Sequence, residues 1–233
     1  MAERVRPDFS EYVAHFTKDP AKDHSQLSEP DIASLTARQR LAAVLEERRI
    51  RRTRMPWFGA HCASFTECTW TSLLDHAEHY SAYGVGFTKT LLWQQGGGPA
   101  IYLRVPDLYD AQSDYVEGLV GWVEGGSREG RPLPFAEHVK DFLTPFAKER
   151  FTLRRVPGVS VDTGIDYSHE REWRVPNGLS FEYADVQFVI VRDFADVGAL
   201  PAQAVDAIGK DRFLSMSNYQ QVEDLWPMLH IRR

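Results

Sequence analysis

The β-prone segments near both ends of this 233-residue chain constrain its fold more than any other feature. A run of aromatic and β-branched residues spans residues 12–17, and two more span 167–175 and 180–193. Between them apolar residues recur at helical spacing, as in the helix predicted from Thr36 to the break at Pro56. Strands at both ends with helices between them predict an α+β fold, with mixed or antiparallel sheets flanked by helices.

The chain contains no internal repeat and no long low-complexity linker, which predicts one α+β domain over residues 1–233. A helical and loop insertion is expected over residues 106–150, and closing helices over residues 200–230. Further strands are predicted at 57–66, 85–88 and 100–105, and further helices at 69–80, 90–95, 109–122, 135–147, 202–208 and 219–229.

Composition excludes several classes of protein. Hydrophobic residues make up 43% of the chain and aromatic residues 12%, which is typical of a packed globular protein. No segment reaches the roughly 18 uninterrupted apolar residues of a spanning helix, so no membrane association is expected. Only two cysteines are present and the first residues lack the apolar core of a signal peptide, which predicts a cytoplasmic location. The net charge of −6 disfavours nucleic-acid coating but allows a local basic patch.

The segment 168–175, SHEREWRV, contains the most informative group of charges. In a strand, Glu170, Glu172 and Arg174 share one face. Two carboxylates beside an arginine either raise the pKa of one carboxyl or stay ionised as hydrogen-bond acceptors. The alternative is a solvated strand face whose carboxylates pair with arginines on neighbouring strands.

Two earlier strands contain polar side chains that suit a ligand. Ser64 and Thr66 share one face of their strand, and His15 and Thr17 share one face of the first strand. Short hydroxyls hydrogen-bond sugars and carboxamides but are also common at strand ends, and a lone strand histidine is more often structural.

Five arginines are concentrated between residues 48 and 54, in the predicted last turn of a helix: Arg48, Arg49, Arg51, Arg52 and Arg54. Cations at a helix C-terminus are favoured by the helix dipole. Five exceed what a cap requires, so contact with phosphate or RNA is the alternative interpretation.

No metal is expected, because the nitrogen and sulfur ligands fit no zinc spacing: His61, Cys62, Cys68, His76 and His79. The two cysteines are more simply small core residues.

Several blocks, taken in order, resemble the AbiGi-type abortive phage resistance family over most of residues 12–192. They are HFT at 15–17, SFTE at 64–67, HYSAYGVGFTK at 79–89, PAIY at 99–102 and YSHEREWR at 167–174. The blocks YGVGFTK and EREWR are the most specific. Proteins of this family are usually labelled antitoxins of bacterial abortive infection systems, which implies a cognate toxin or antitoxin as partner.

The order of a histidine, a Ser-x-Thr strand face and a late Glu-x-Glu strand also resembles DarT-like ADP-ribosyltransferases. That resemblance implies NAD as substrate, with no metal, and an ADP-ribosyltransferase-like fold. It implies that His15, with Thr17 beside it, contacts the adenosine ribose or a phosphate, and that Ser64 and Thr66 line the nicotinamide ribose. The remaining implied roles are nicotinamide stacking by Tyr80 or Tyr83, acceptance by Glu172 of a hydrogen bond from the nicotinamide ribose hydroxyl, and orientation or deprotonation of the nucleophile by Glu170.

The resemblances together imply a bacterial anti-phage protein that uses NAD to modify a nucleic acid or protein, or that degrades NAD. This hypothesis requires His15, Ser64 and Glu172 to converge on one cleft. One alternative is a non-catalytic antitoxin or partner-binding module. Another is a nucleic-acid-binding module that uses the arginines of residues 48–54.

Overall fold

The computed structural model of the chain describes residues 10–20, 30–55, 60–67, 77, 80–104, 118, 121, 139–146 and 171–218. Over these residues the fold is α+β, as predicted. The strands are β1 (Tyr12–Phe16), β2 (Arg49–Ile50), β3 (Thr53–Arg54), β4 (His61–Glu67), β5 (Gly84–Thr88), β6 (Gly98–Pro99), β7 (Ile101–Arg104), β8 (Leu143–Phe146), β9 (Glu172–Val175), β10 (Leu179–Ser180), β11 (Phe188–Val191) and β12 (Phe213–Ser215). The α-helices are α1 (Pro30–Ala33), α2 (Ala37–Glu47), α3 (Lys89–Gln94), α4 (Val139–Phe142) and α5 (Ala202–Ile208). No described helix has the length and apolarity needed to cross a membrane.

The main sheet has eight strands in the order β12-β11-β5-β1-β4-β9-β6, with β3 paired to the start of β4. Its neighbours run antiparallel except for β11 and β12, which are parallel. Two smaller pairs lie beside it, one of β2 with β10 and one of β7 with β8. The sheet is therefore mixed, with predominantly antiparallel pairing.

The two faces of the main sheet contact different parts of the protein because strand side chains alternate between faces. On the face that we call the helix-covered face, Val13, Phe65 and Phe87 pack with α2, α3 and α5 in the largest buried cluster. The opposite face carries a smaller apolar cluster that includes Ala14 and Phe16. Phe188 lies against Gly86 there, where a Cβ would come within 2.3 Å of its ring.

Local sequence signals located several elements correctly. Strands β1, β5 and β7 and helices α3 and α5 lie within a residue or two of the predicted ranges. Helix α2 begins where predicted, because the Thr36 side chain accepts from the Gln39 amide while the Gln39 side chain accepts from the Thr36 amide. The strand predicted at 57–66 is β4, beginning at His61.

Three predicted elements are wrong in extent. Helix α2 ends at Glu47, because Arg48 takes a left-handed conformation (φ 52°), so the arginines follow the helix instead of forming its last turn. The helix predicted at 135–147 gives way after α4 to β8, which pairs with β7. The strand predicted at 180–193 is divided into β10 and β11 by a 3-10 turn at Tyr183–Asp185. The helix predicted at 219–229 falls outside the described residues, and so do most residues of the helices predicted at 69–80 and 109–122; the described residues 77, 118 and 121 are helical.

Candidate functional site

Glu172 and Arg174 form a buried ion pair on β9. Arg174 Nε and Nη2 each donate to one carboxylate oxygen of Glu172, both at 2.9 Å. Glu172 is 6% exposed and Arg174 is fully buried. Such a bidentate pair is among the stronger polar contacts in proteins, and its geometry fixes both side chains.

The Arg174 guanidinium also connects the main sheet to the α4–β8 segment. Its Nη1 donates to the Leu143 carbonyl at 2.6 Å and to the Asp141 carbonyl at 3.1 Å. The Thr144 hydroxyl donates to Glu172 Oε2 at 3.3 Å. Both Glu172 oxygens are therefore occupied by protein donors, and the carboxylate would have to leave Arg174 before it contacted a ligand.

Electrostatics keep this arginine charged despite its burial. Burial acts to lower the pKa of Arg174, but the Glu172 carboxylate together with smaller effects of Cys62 and Tyr102 outweighs burial, and the pKa is raised above its ordinary value. Arg174 therefore stays charged inside the protein.

The hydroxyl strand β4 lies next to this pair, and the structure brings Ser64, Thr66 and Glu172 together. Thr66 is opposite Glu172, and Ser64 is opposite Arg174. Directly opposed residues on neighbouring strands point to the same face of the sheet. For these four residues it is the face on the other side from the helix-covered face. Of the three residues that the predicted NAD site requires, Ser64 and Glu172 therefore lie on one face of the sheet.

His15 lies on the other side of the sheet. Val13 is opposite Glu67 and Ala14 opposite Thr66, which places His15 beside Phe65, with ring centroids 5.8 Å apart. Phe65 belongs to the helix-covered face. His15 Nδ1 donates to the Ser64 carbonyl at 2.9 Å. The sheet therefore separates His15 from Glu172, and the required convergence on one cleft is not met.

The other predicted ligand residues also lie apart. Thr17 is buried, and its hydroxyl donates to the Ala37 carbonyl at 2.8 Å. Tyr80 stacks on Phe16 at 6.1 Å on the opposite face, whereas the Tyr83 hydroxyl donates to Asp196 beyond the end of β11. Glu170 falls outside the described residues.

A second charged group was not predicted from the sequence, although its members lie in the motif blocks. Glu67, 7% exposed, accepts from Lys89 Nζ at 2.9 Å and contacts Arg171 Nη1 at 3.4 Å. Lys89 Nζ also lies 5.5 Å from the centre of the Trp173 ring. The blocks SFTE, GFTK and EREWR therefore meet at one buried carboxylate. Strand alternation could have signalled it, because Arg171 and Trp173 share a face.

The arginines of residues 48–54 form an exposed surface around β2 and β3, which we call the arginine surface. Arg48 is paired with Glu182, and Arg51 binds Glu47 through two hydrogen bonds of 2.9 and 2.6 Å. Arg49 and Arg52 are exposed and form no ion pair with a described residue, although the charge of Arg49 acts at longer range against the rise in the pKa of Glu47. Arg54 is exposed at the end of β3.

Cys62 is fully buried beside the ion pair, and we expect it to be unreactive. Burial raises the pKa of its thiol from 9.0 to about 11, against the opposing effect of Arg174.

In a Cys68→Ser variant, Ellman's reagent should label no thiol at pH 8 until urea unfolds the chain. Because the thiolate is disfavoured only in the folded state, the Cys62 contribution to stability should be lost as pH rises from 9.0 to about 11. Rapid stoichiometric labelling of the native variant would contradict this arrangement.

Comparisons with known proteins add no relatives: no family model, curated protein or solved structure matches the chain. The geometry described above is therefore the basis for proposing a function.

Proposed function

We propose that this chain acts by binding nucleic acid through the arginine surface, as a cytoplasmic component of bacterial anti-phage defence. The observation that carries the proposal is the pair of exposed cations, Arg49 and Arg52, which form no ion pair with a described residue. Guanidinium groups bind phosphate oxygens through paired N–H donors, and their desolvation cost is lower than that of an ammonium group. The defence setting comes from the resemblance to abortive infection proteins.

The neighbouring arginines support this role by positioning the surface. The contact of Arg48 with Glu182 and that of Arg51 with Glu47 anchor the chain on both sides of Arg49. Strand β2 is also held by pairing with β10, so Arg49 projects from ordered backbone. A rigid cationic surface loses less conformational entropy on binding than a flexible tail does.

Titration of fluorescein-labelled single-stranded RNA with the full chain tests the proposal by fluorescence anisotropy. Micromolar binding that weakens with added salt supports a phosphate contact. Binding that is absent at low salt overturns the proposal. Capture of an acidic protein partner with no RNA affinity would also overturn it and favour the antitoxin alternative.

A second candidate is ADP-ribosyl transfer in a form that does not use His15, because the sheet separates that residue from Glu172; this form is favoured by the adjacency of Ser64, Thr66 and Glu172 on one sheet face. Departure of nicotinamide leaves positive charge on the ribose, and a fixed carboxylate stabilises that charge in the transition state. In this candidate Glu172 exchanges the Arg174 guanidinium for a ribose hydroxyl when NAD binds.

The transferase candidate predicts release of nicotinamide from NAD by the purified chain, with or without nucleic acid. Glu172→Gln should lower turnover by at least about a hundredfold while circular dichroism shows a folded protein. Glu182→Gln changes an exposed carboxylate outside the sheet and serves as the matched control. Full turnover in Glu172→Gln, or no nicotinamide release by the unaltered chain, would exclude this candidate.

A further inference from the structure

A cavity of about 330 Å³ lies at the end of the sheet where β1 and β11 end and β5 begins. Its lining residues are all polar: Asp19, Thr36, Arg38, Tyr83, Arg192 and Asp196. They converge from four separate parts of the chain. The arginine surface begins at the other end of α2, and 11 residues of helix measure about 16 Å. The cavity is therefore separate from that surface.

One wall of the cavity is a closed set of hydrogen bonds. Asp196 accepts from Arg38 Nη1 and from the Tyr83 hydroxyl, both at 2.9 Å. Burial acts to raise the pKa of Asp196, but these two donors outweigh it and the pKa is lowered. Burial and the Asp196 contact raise the pKa of Tyr83. The Asp196 carboxylate is therefore ionised and already accepts two hydrogen bonds, so this wall has little capacity left to bind a ligand.

Two groups in the cavity keep hydrogen-bonding capacity that no described residue uses, and we call these groups uncommitted. The exposed Arg192 guanidinium lies 5.5 Å from the centre of the Tyr83 ring and has no carboxylate partner among the described residues. Asp19 accepts from the Ala37 amide at 2.8 Å through Oδ1, and Oδ2 has no donor among the described residues. The groups available to a ligand are therefore the Arg192 guanidinium, which can donate paired hydrogen bonds, and Asp19 Oδ2, which can accept one.

A complementary ligand therefore needs an anionic group and a hydrogen-bond donor. The lining includes no aliphatic side chain, and its only ring, that of Tyr83, is 6% exposed and lies against the Arg192 guanidinium, so no lining side chain offers a stacking face for a nucleobase. We propose that this cavity binds a small phosphorylated sugar, with the phosphate on Arg192 and a sugar hydroxyl donating to Asp19.

Isothermal titration of the full chain with ribose 5-phosphate tests this proposal. We expect saturable binding that Arg192→Gln weakens at least tenfold, because the guanidinium supplies the phosphate contact. Asp19→Asn should weaken it as well, since the amide nitrogen cannot accept a hydroxyl proton. Arg49→Gln removes an arginine outside the cavity and should leave the affinity unchanged. The test thus separates this site from the arginine surface.

Three probes distinguish the ligand chemistry in the same experiment. Ribose and inorganic phosphate should each bind at least tenfold more weakly than ribose 5-phosphate, because each satisfies only one of the two uncommitted groups. Serine, a polar zwitterion, should also bind more weakly. The proposal is overturned by no binding of ribose 5-phosphate, equal affinity for phosphate or serine, or unchanged affinity in Arg192→Gln.

Discussion

Replacing Arg174 with methionine is expected to lower the free energy of unfolding by about 3–5 kcal/mol. The change removes a fully buried guanidinium that binds both Glu172 oxygens and two backbone carbonyls of the α4–β8 segment. Glu172 would remain as a buried carboxylate with only the weaker Thr144 contact. Urea unfolding followed by circular dichroism measures the change.

The double variant Glu172→Leu/Arg174→Met separates the cost of an unpaired charge from the net stability of the pair. Because replacing both ions by apolar residues removes the buried charge, it should recover most of the loss. Arg38→Met, which breaks an exposed contact with Asp196, should cost less than about 1 kcal/mol. A loss below about 1 kcal/mol in Arg174→Met would show that the pair does not hold this part of the sheet.

Removing the two exposed arginines is expected to weaken RNA binding at least about a hundredfold. Arg49→Gln/Arg52→Gln deletes two phosphate contacts, and a charge-assisted hydrogen bond contributes about 1.5–3 kcal/mol. Fluorescence anisotropy with one labelled single-stranded RNA at fixed salt gives both affinities.

Lys210→Glu is the matched control, because it lowers the net charge by the same two units at an exposed site in a 3-10 helix. It should change RNA affinity by less than about threefold if binding is local to the arginine surface. Equal losses in the two variants would indicate attraction to total charge only, and would contradict the proposed surface.

Elements with strong local signals were predictable from sequence. The capping pair Thr36 and Gln39 indicates the start of helix α2, and a short apolar run predicts β5. Strand β8 was not predictable, because its conformation depends on pairing with β7, which is about 40 residues distant. The end of α2 was not predicted, because arginine has a high helix propensity. Arg49 lies in a strand because β2 pairs with β10.

The candidate site was predictable only within each strand. Alternation correctly places Ser64 with Thr66 and Glu172 with Arg174. The relation between strands depends on register, and a shift of one residue moves a side chain to the other face. The pairing of Ala14 with Thr66 puts His15 on the helix-covered face, which no local pattern specifies. The burial of Glu172 under the α4–β8 segment also depends on contacts between distant parts of the chain, so no local pattern predicts it.

The salt dependence of RNA affinity tests the proposed function most directly. Anisotropy titrations of the unaltered chain and of Arg49→Gln/Arg52→Gln, from about 50 to about 200 mM NaCl, give two slopes of log affinity against log salt. For three to five phosphate contacts the unaltered chain should show a slope of about −2 to −3.5, and the variant a slope shallower by about 1.4. A slope near zero, or the same slope in both proteins, would contradict binding through the arginine surface.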